Sequence, residues 1–146
     1  MSAVSEEVYS GIDSNLPNYT PWVFDRLVQL LNSNVVIKRG VEAGHEAFKN
    51  LGGNDIILIR THGAVARFNW PFIYLTEPLN YEGIALGPTF FVRYYQDNEL
   101  DGSLVYLGSC SSLRHNHLAD GFISAGAKVV LGYDDVVSRP PRKPRP

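Results

Sequence analysis

The sequence predicts an α/β protein, built as a three-layer α/β/α sandwich around a mostly parallel sheet. Three apolar runs bounded by turn residues are typical of buried strands, at 56–60, 103–110 and 128–133. Segments with helical spacing of apolar residues separate these runs. Strands that alternate with helices favour parallel pairing through right-handed crossovers. The 146 residues are enough for one domain with a sizeable core.

Composition divides the chain into three parts. Residues 1–19 are rich in Ser, Asn and Gly, and we expect an irregular lead-in there. The folded domain is predicted to span 20–138. The last segment, 139–146, contains only proline and arginine apart from Lys143. Such a segment has nothing to bury, and we expect it to be disordered or polyproline-like.

In the first half, a helix is predicted over 20–32. It begins at a Thr-Pro pair, a hydroxyl N-cap before a proline in the first helical position, and its apolar residues recur at helical spacing. A short β-branched strand at 34–38 and a segment of moderate helical character at 41–51 follow. A Gly-Gly-Asn-Asp turn then leads into the strand at 56–60, which is the clearest strand of this half.

In the second half, a small hairpin is predicted from 64–68 and 72–76, followed by an irregular loop at 77–88. Residues 89–96 have aromatic residues that fit either a helix or a strand. A helix is predicted because a crossover is needed before the next parallel strand. Another helix is predicted over 113–125, where a following glycine is a suitable C-terminal stop.

Charge and hydropathy exclude several classes of protein. The formal net charge of −2 gives no general argument for binding nucleic acid or an anionic membrane. No apolar stretch approaches the roughly 20 residues of a membrane span, and the polar N-terminus is unlike a signal peptide. A single cysteine cannot form an internal disulfide. We therefore expect a cytoplasmic protein that acts on neither nucleic acid nor membrane.

Two chemically active side chains follow neighbouring strands. His62 comes just after the strand at 56–60, and Cys110 ends the next predicted parallel strand. Ligands of α/β sheets bind outside the carboxyl ends of the strands. A thiol becomes a nucleophile when a neighbouring imidazole or a helix N-terminus favours the thiolate, and the helix predicted from Leu113 would begin close by. Backbone N–H groups of Gly63 and Cys110 could form an oxyanion hole, worth about 3 kcal/mol per donor.

Less specific interpretations stand beside this one. A lone cysteine at a strand end is more often a small buried residue. Ser109 is most simply a turn residue, and the alternative is a residue that contacts substrate. Asp135 follows the last strand, where it either forms a turn or shapes the substrate site. His115 and His117 do not share a helical face, and no zinc-type spacing occurs, so we expect neither a metal nor another cofactor.

A strand that ends on His-Gly, followed by a strand that ends on a cysteine between small residues, resembles the caspase-like fold. That clan of cysteine peptidases holds caspases, clostripain, gingipains, separase and CHAT domains. The segments 107–112 and 118–133, with a Gly-Ala turn into the next strand, are similar to the gingipain, clostripain and CHAT branch. The resemblance covers residues 34–135. It implies His62 as general base or acid, Cys110 as nucleophile and Gly63 as an oxyanion donor.

The resemblance is incomplete at two positions. The caspase signature Gln-Ala-Cys-x-Gly is absent, so aspartate specificity is not implied. Gly108 stands where clostripain-like enzymes have an acidic residue that selects basic side chains. We expect a cysteine endopeptidase that cleaves a protein or peptide substrate. The alternatives are a catalytically inactive caspase-like interaction or regulatory module, and a flavodoxin-like binding domain, for which the sequence has no Gly-rich phosphate-binding motif.

Overall fold

The fold consists of two sheets and the helices that connect their strands. The computed structural model describes residues 2–5, 26, 29–30, 36–39, 44–76 and 83–136. In chain order the elements are β1 (Ser2–Ser5), β2 (Val36–Arg39), α1 (His45–Phe48), β3 (Ile56–Arg60), β4 (His62–Ala66), a 3₁₀ helix (Arg67–Asn69), β5 (Trp70–Thr76), β6 (Gly83–Leu86), α2 (Pro88–Tyr94), β7 (Leu104–Leu107), α3 (His117–Ser124) and β8 (Val129–Leu131).

The larger sheet has five strands in the order β2-β1-β3-β7-β8, and every neighbouring pair is parallel. The strands β4, β5 and β6 form a separate three-stranded antiparallel sheet. The α/β class predicted from alternating strands and helices is therefore confirmed. The antiparallel sheet follows β3 after Thr61 alone, so it starts at His62, beside the carboxyl edge of the parallel sheet.

Two segments predicted to be irregular contain strands. Within the lead-in at 1–19, Ser2–Ser5 form β1, which pairs with β2 on one side and β3 on the other. These four residues include one large apolar amino acid, so their sequence shows no hydrophobic period. The strand is defined by its main-chain pairing with two neighbouring strands. Within the loop predicted at 77–88, Gly83–Leu86 form β6. Its pairing with β5 places Leu86 opposite Ile73, and both side chains are buried.

The described crossover segments are helical where the sequence predicts helices. The observed helices are shorter than the predicted ones. The helix predicted at 89–96 is α2, and its proline occupies the first turn, where no N–H is needed. The helix predicted at 41–51 is reduced to the four residues of α1. Of the helix predicted at 20–32, Arg26, Gln29 and Leu30 are described, and all three are helical. The predicted tail at 139–146 lies outside the described residues.

The core lies on one face of the parallel sheet. Burial alternates along β3 and β7, so that Ile57, Ile59, Val105 and Leu107 are buried and their neighbours are half-buried or exposed. Helices cover the buried face with aromatic side chains, one from each helix. These are Phe48, Phe91 and Phe122, of which the last two are in ring contact at 3.9 Å between centroids.

Tyr95 ties α1 to α2 inside this core. Its hydroxyl donates a hydrogen bond to the carbonyl of Phe48 and accepts one from the N–H of Leu51 at 3.1 Å. Burial raises the pKa of Tyr95 to about 12. A buried phenol with both hydrogen bonds made stabilises the fold rather than weakening it.

Among the described residues, no helix has the length and apolar character that a membrane crossing requires.

Candidate active site

Neighbouring parallel strands bring the two segments of the candidate site to the same edge of the sheet. The pairing of β3 with β7 places Ile59 opposite Leu107. One step further, the N–H of Gly108 donates a hydrogen bond to the carbonyl of Ile59 at 2.7 Å. The chain segments that carry His62 and Cys110 therefore leave the sheet side by side.

Gly63 lies directly against the backbone of Cys110. A Cβ at position 63 would lie 3.2 Å from the Cys110 nitrogen and 3.0 Å from the Ser109 Cβ. It would also overlap the carbonyl oxygen of Cys110 at a separation that real Cβ atoms do not show. Only glycine permits this approach. The structure thus brings His62-Gly63 and Ser109-Cys110 together at the level of the backbone.

His62 begins β4, where it pairs with Tyr74 of β5. The preceding residue strengthens this pairing, because the Thr61 hydroxyl donates a hydrogen bond to the carbonyl of Tyr74. The His62 side chain is exposed, and Cys110 is half-buried. Both residues are therefore at least partly accessible to solvent.

The serines around Cys110 face the interior. Ser109 is 2% exposed, and its hydroxyl has no hydrogen-bond partner among the described residues. This places its side chain below the surface on which substrate would lie. Ser112 is also buried, and its hydroxyl connects two segments: it donates to the carbonyl of Leu107 at 3.3 Å and accepts from the N–H of Tyr133 at 3.2 Å.

Asp135 lies beside the turn that follows Cys110. Its carbonyl accepts a hydrogen bond from the N–H of Ser111 at 3.0 Å. One oxygen of its carboxylate accepts from the N–H of Val136 at 2.7 Å, and the side chain is exposed. This geometry is compatible with both interpretations of Asp135, as a turn residue and as a residue near the proposed substrate site.

The helix after Cys110 starts later than predicted. Turns occupy the chain after the cysteine, and α3 begins at His117 rather than at Leu113. Ser111, His115 and Asn116 have positive φ angles of 53°, 65° and 59° in these turns. The field of a helix terminus falls off within one turn. The helix contribution to thiolate formation that the sequence predicted is therefore not supported at Cys110.

The sequence interpretation missed two tyrosines next to the site. Burial alternates along β7, so that Tyr106 lies on the face opposite the core, in the strand that leads to Cys110. The Tyr106 hydroxyl lies 2.8 Å from that of Tyr133, in a hydrogen bond. Burial, followed by this hydrogen bond, raises the pKa of Tyr106 to about 12. The alternation of side chains along the predicted strand would have placed Tyr106 on this face. The position of Tyr133 beside it depends on the pairing of β7 with β8.

His117 packs against an aromatic side chain at the start of α3. Its ring stacks on that of Trp70, with centroids 5.0 Å apart and an interplanar angle of 26°. This pair lies at an open groove of about 260 Å³ between α2 and α3. Within 44–76, 83–136 and the other described residues, no three His, Cys, Asp or Glu side chains are placed to hold a metal ion.

Comparison with known proteins assigns no family to this chain. No protein-family model matches it, and no curated protein matches it either.

Proposed function

We propose that this protein is a cysteine endopeptidase of the caspase-like fold, with His62 and Cys110 as its catalytic pair. One observation carries the proposal: the residue after His62 lies in backbone contact with Cys110, at a position where only glycine fits. The same contact supports Gly63 and Cys110 as neighbouring oxyanion donors.

The proposed reaction proceeds in two stages. His62 accepts the proton of the Cys110 thiol, and the thiolate attacks the carbonyl carbon of the peptide bond. The N–H groups of Gly63 and Cys110 stabilise the negative charge that develops on the carbonyl oxygen. The carbon–nitrogen bond then breaks as His62 returns the proton to the leaving amine. Water, deprotonated by His62, hydrolyses the thioester and releases the acid and the free thiol.

Strand order supports the three-layer arrangement that the proposed fold requires. From β2 onward the chain crosses the sheet in one direction, so right-handed crossovers put α1, α2 and α3 on one face. From β1 to β2 the strand order runs in the opposite direction, for which a right-handed crossover uses the other face. This connection contains the helical residues Arg26, Gln29 and Leu30. Doubly wound sheets that bind nucleotides have the same strand order. The strand order therefore does not separate a peptidase from a nucleotide-binding protein, and the peptidase proposal depends on the site.

Digestion of an unbiased peptide mixture tests the proposal, because such a mixture detects a peptidase whatever its cleavage preference. The wild type is expected to produce new peptide termini that mass spectrometry detects, and the Cys110→Ala variant is expected to produce none above background. The variant removes only the sulfur, so circular dichroism should show the same fold. Cleavage that persists in Cys110→Ala, or its absence from correctly folded wild type, would contradict the proposal.

An interaction module is the second candidate, because large apolar side chains are exposed on the last strand. Leu131 is 48% exposed and Val129 is 40% exposed. Such side chains are typical of a surface that contacts another protein. In that case Cys110 would be a structural residue, and the peptide mixture would remain intact.

A further inference from the structure

The strand β8 forms one edge of the parallel sheet. It pairs with β7 on one side, and the described residues place no strand on its other side. Along the face opposite the core, Val129, Leu131 and Tyr133 are exposed by 40%, 48% and 38%. Exposed edges of this kind template pairing with a further strand unless charges or prolines block them.

Main-chain directions show which groups at this edge are available for pairing. The N–H groups of Lys128 and Val129 both donate toward β7, to the carbonyl of Ser103, at 2.8 and 3.3 Å. Tyr133 likewise directs its N–H to the Ser112 hydroxyl and receives the N–H of Leu113 at its carbonyl. From Val129 onward these directions alternate along the strand, so Val129, Leu131 and Tyr133 point inward, and Val130 and Gly132 direct their main-chain groups outward.

We propose that a second copy of this chain pairs with β8 in antiparallel orientation, on a two-fold axis through Leu131. In this register Val130 of each copy lies opposite Gly132 of the other, so that their outward groups exchange hydrogen bonds. The register also pairs the exposed apolar side chains, with Leu131 opposite Leu131 and Val129 opposite Tyr133. A two-fold interface requires a self-complementary surface of this kind.

Charge selects this register from the others that the main chain allows. With Leu131 on the axis, Lys128, which precedes β8, lies opposite Asp134, which follows it by three residues, and symmetry repeats the pair. Both side chains are exposed. Moving the axis to Val130 would place Lys128 opposite Gly132 and leave Asp134 without a basic partner. The two ion pairs therefore define the alignment, and the apolar side chains supply the buried area between them.

Sedimentation velocity over about 1 to 500 μM tests the proposal, since a strand-edge interface is small and is expected to be weak. The wild type should shift from monomer to dimer in this range. Leu131→Arg places two guanidinium groups on the axis and should leave the protein monomeric throughout. Val92→Arg is the matched control, because Val92 in α2 is 46% exposed and outside the interface. It should associate as the wild type does.

Charge reversal tests the register. Lys128→Asp and Asp134→Lys should each weaken association by about tenfold, because each places like charges opposite one another at both ends. The double variant restores opposite charges and should return to within about threefold of the wild type. A wild type that stays monomeric, dimers that survive Leu131→Arg, or a double variant no better than the single ones would overturn the proposal. None of these results depends on peptidase activity.

Discussion

Replacing His62 by alanine is expected to lower kcat/KM for peptide hydrolysis by about 10²- to 10⁴-fold, the usual contribution of a general base and acid. The free energy of unfolding should change by no more than about 0.5 kcal/mol, because the side chain is exposed at the start of β4. In the proposed reaction the imidazole transfers protons and does not hold the substrate, so most of the loss should fall on kcat. Hydrolysis of a peptide found in the digestion experiment gives both constants.

His45→Ala is the matched control for this variant. His45 lies in α1, where its Nε2 atom is 2.7 Å from a carboxylate oxygen of Glu46. Its replacement should leave both kinetic constants at wild-type values. Retention of more than about a third of wild-type kcat/KM in His62→Ala would show that another group acts as the base, and the proposed catalytic pair would be wrong.

Gly63→Ala is expected to damage both the fold and the site. Its added methyl group overlaps the carbonyl oxygen of Cys110, so one of the two backbone segments must move. Such overpacking costs about 1–3 kcal/mol of the free energy of unfolding, which urea denaturation measures. The displacement also shifts the proposed oxyanion donors, each worth about 10²-fold in rate. Hydrolysis should therefore fall by at least about 10²-fold at temperatures where the variant is fully folded.

Gly52→Ala separates this effect from the general cost of adding a methyl group to glycine. Gly52 is exposed, and a Cβ there would lie no closer than 3.4 Å to its nearest neighbour, the carbonyl oxygen of Glu99. Stability and hydrolysis should both stay close to wild type. If Gly63→Ala behaves in the same way, the close approach of Gly63 to Cys110 has no role in the site.

Much of the parallel sheet was predictable, because some strands carry their own signal. Ile56–Arg60 and Leu104–Leu107 are apolar runs bounded by turn residues, and the need for a crossover between them predicts α2. The segments Ser2–Ser5 and Gly83–Leu86 carry no such signal. Their strands exist because neighbouring strands supply hydrogen-bond partners, a tertiary effect that local sequence does not contain.

The candidate site was predictable in its placement and not in its detail. Parallel strand ends meet at one edge, so the proximity of the His62 and Cys110 segments follows from strand order. The late start of α3 does not follow from strand order. The sequence of residues 111–116 has no pattern that separates left-handed turns from a first helical turn. The inward position of Ser109 continues the period-two burial of β7, which the sequence could have shown.

The pH dependence of Cys110 alkylation by iodoacetamide tests the central claim most directly, because the reagent reports on the thiol itself and needs no substrate. An imidazole beside the thiol favours the thiolate, which is the reactive form. At pH 6.5 the wild-type thiol should react at least about tenfold faster than the thiol of folded His62→Ala. Equal rates in the two proteins, or a thiol that reacts only after unfolding, would contradict the proposed catalytic pair and favour the interaction module.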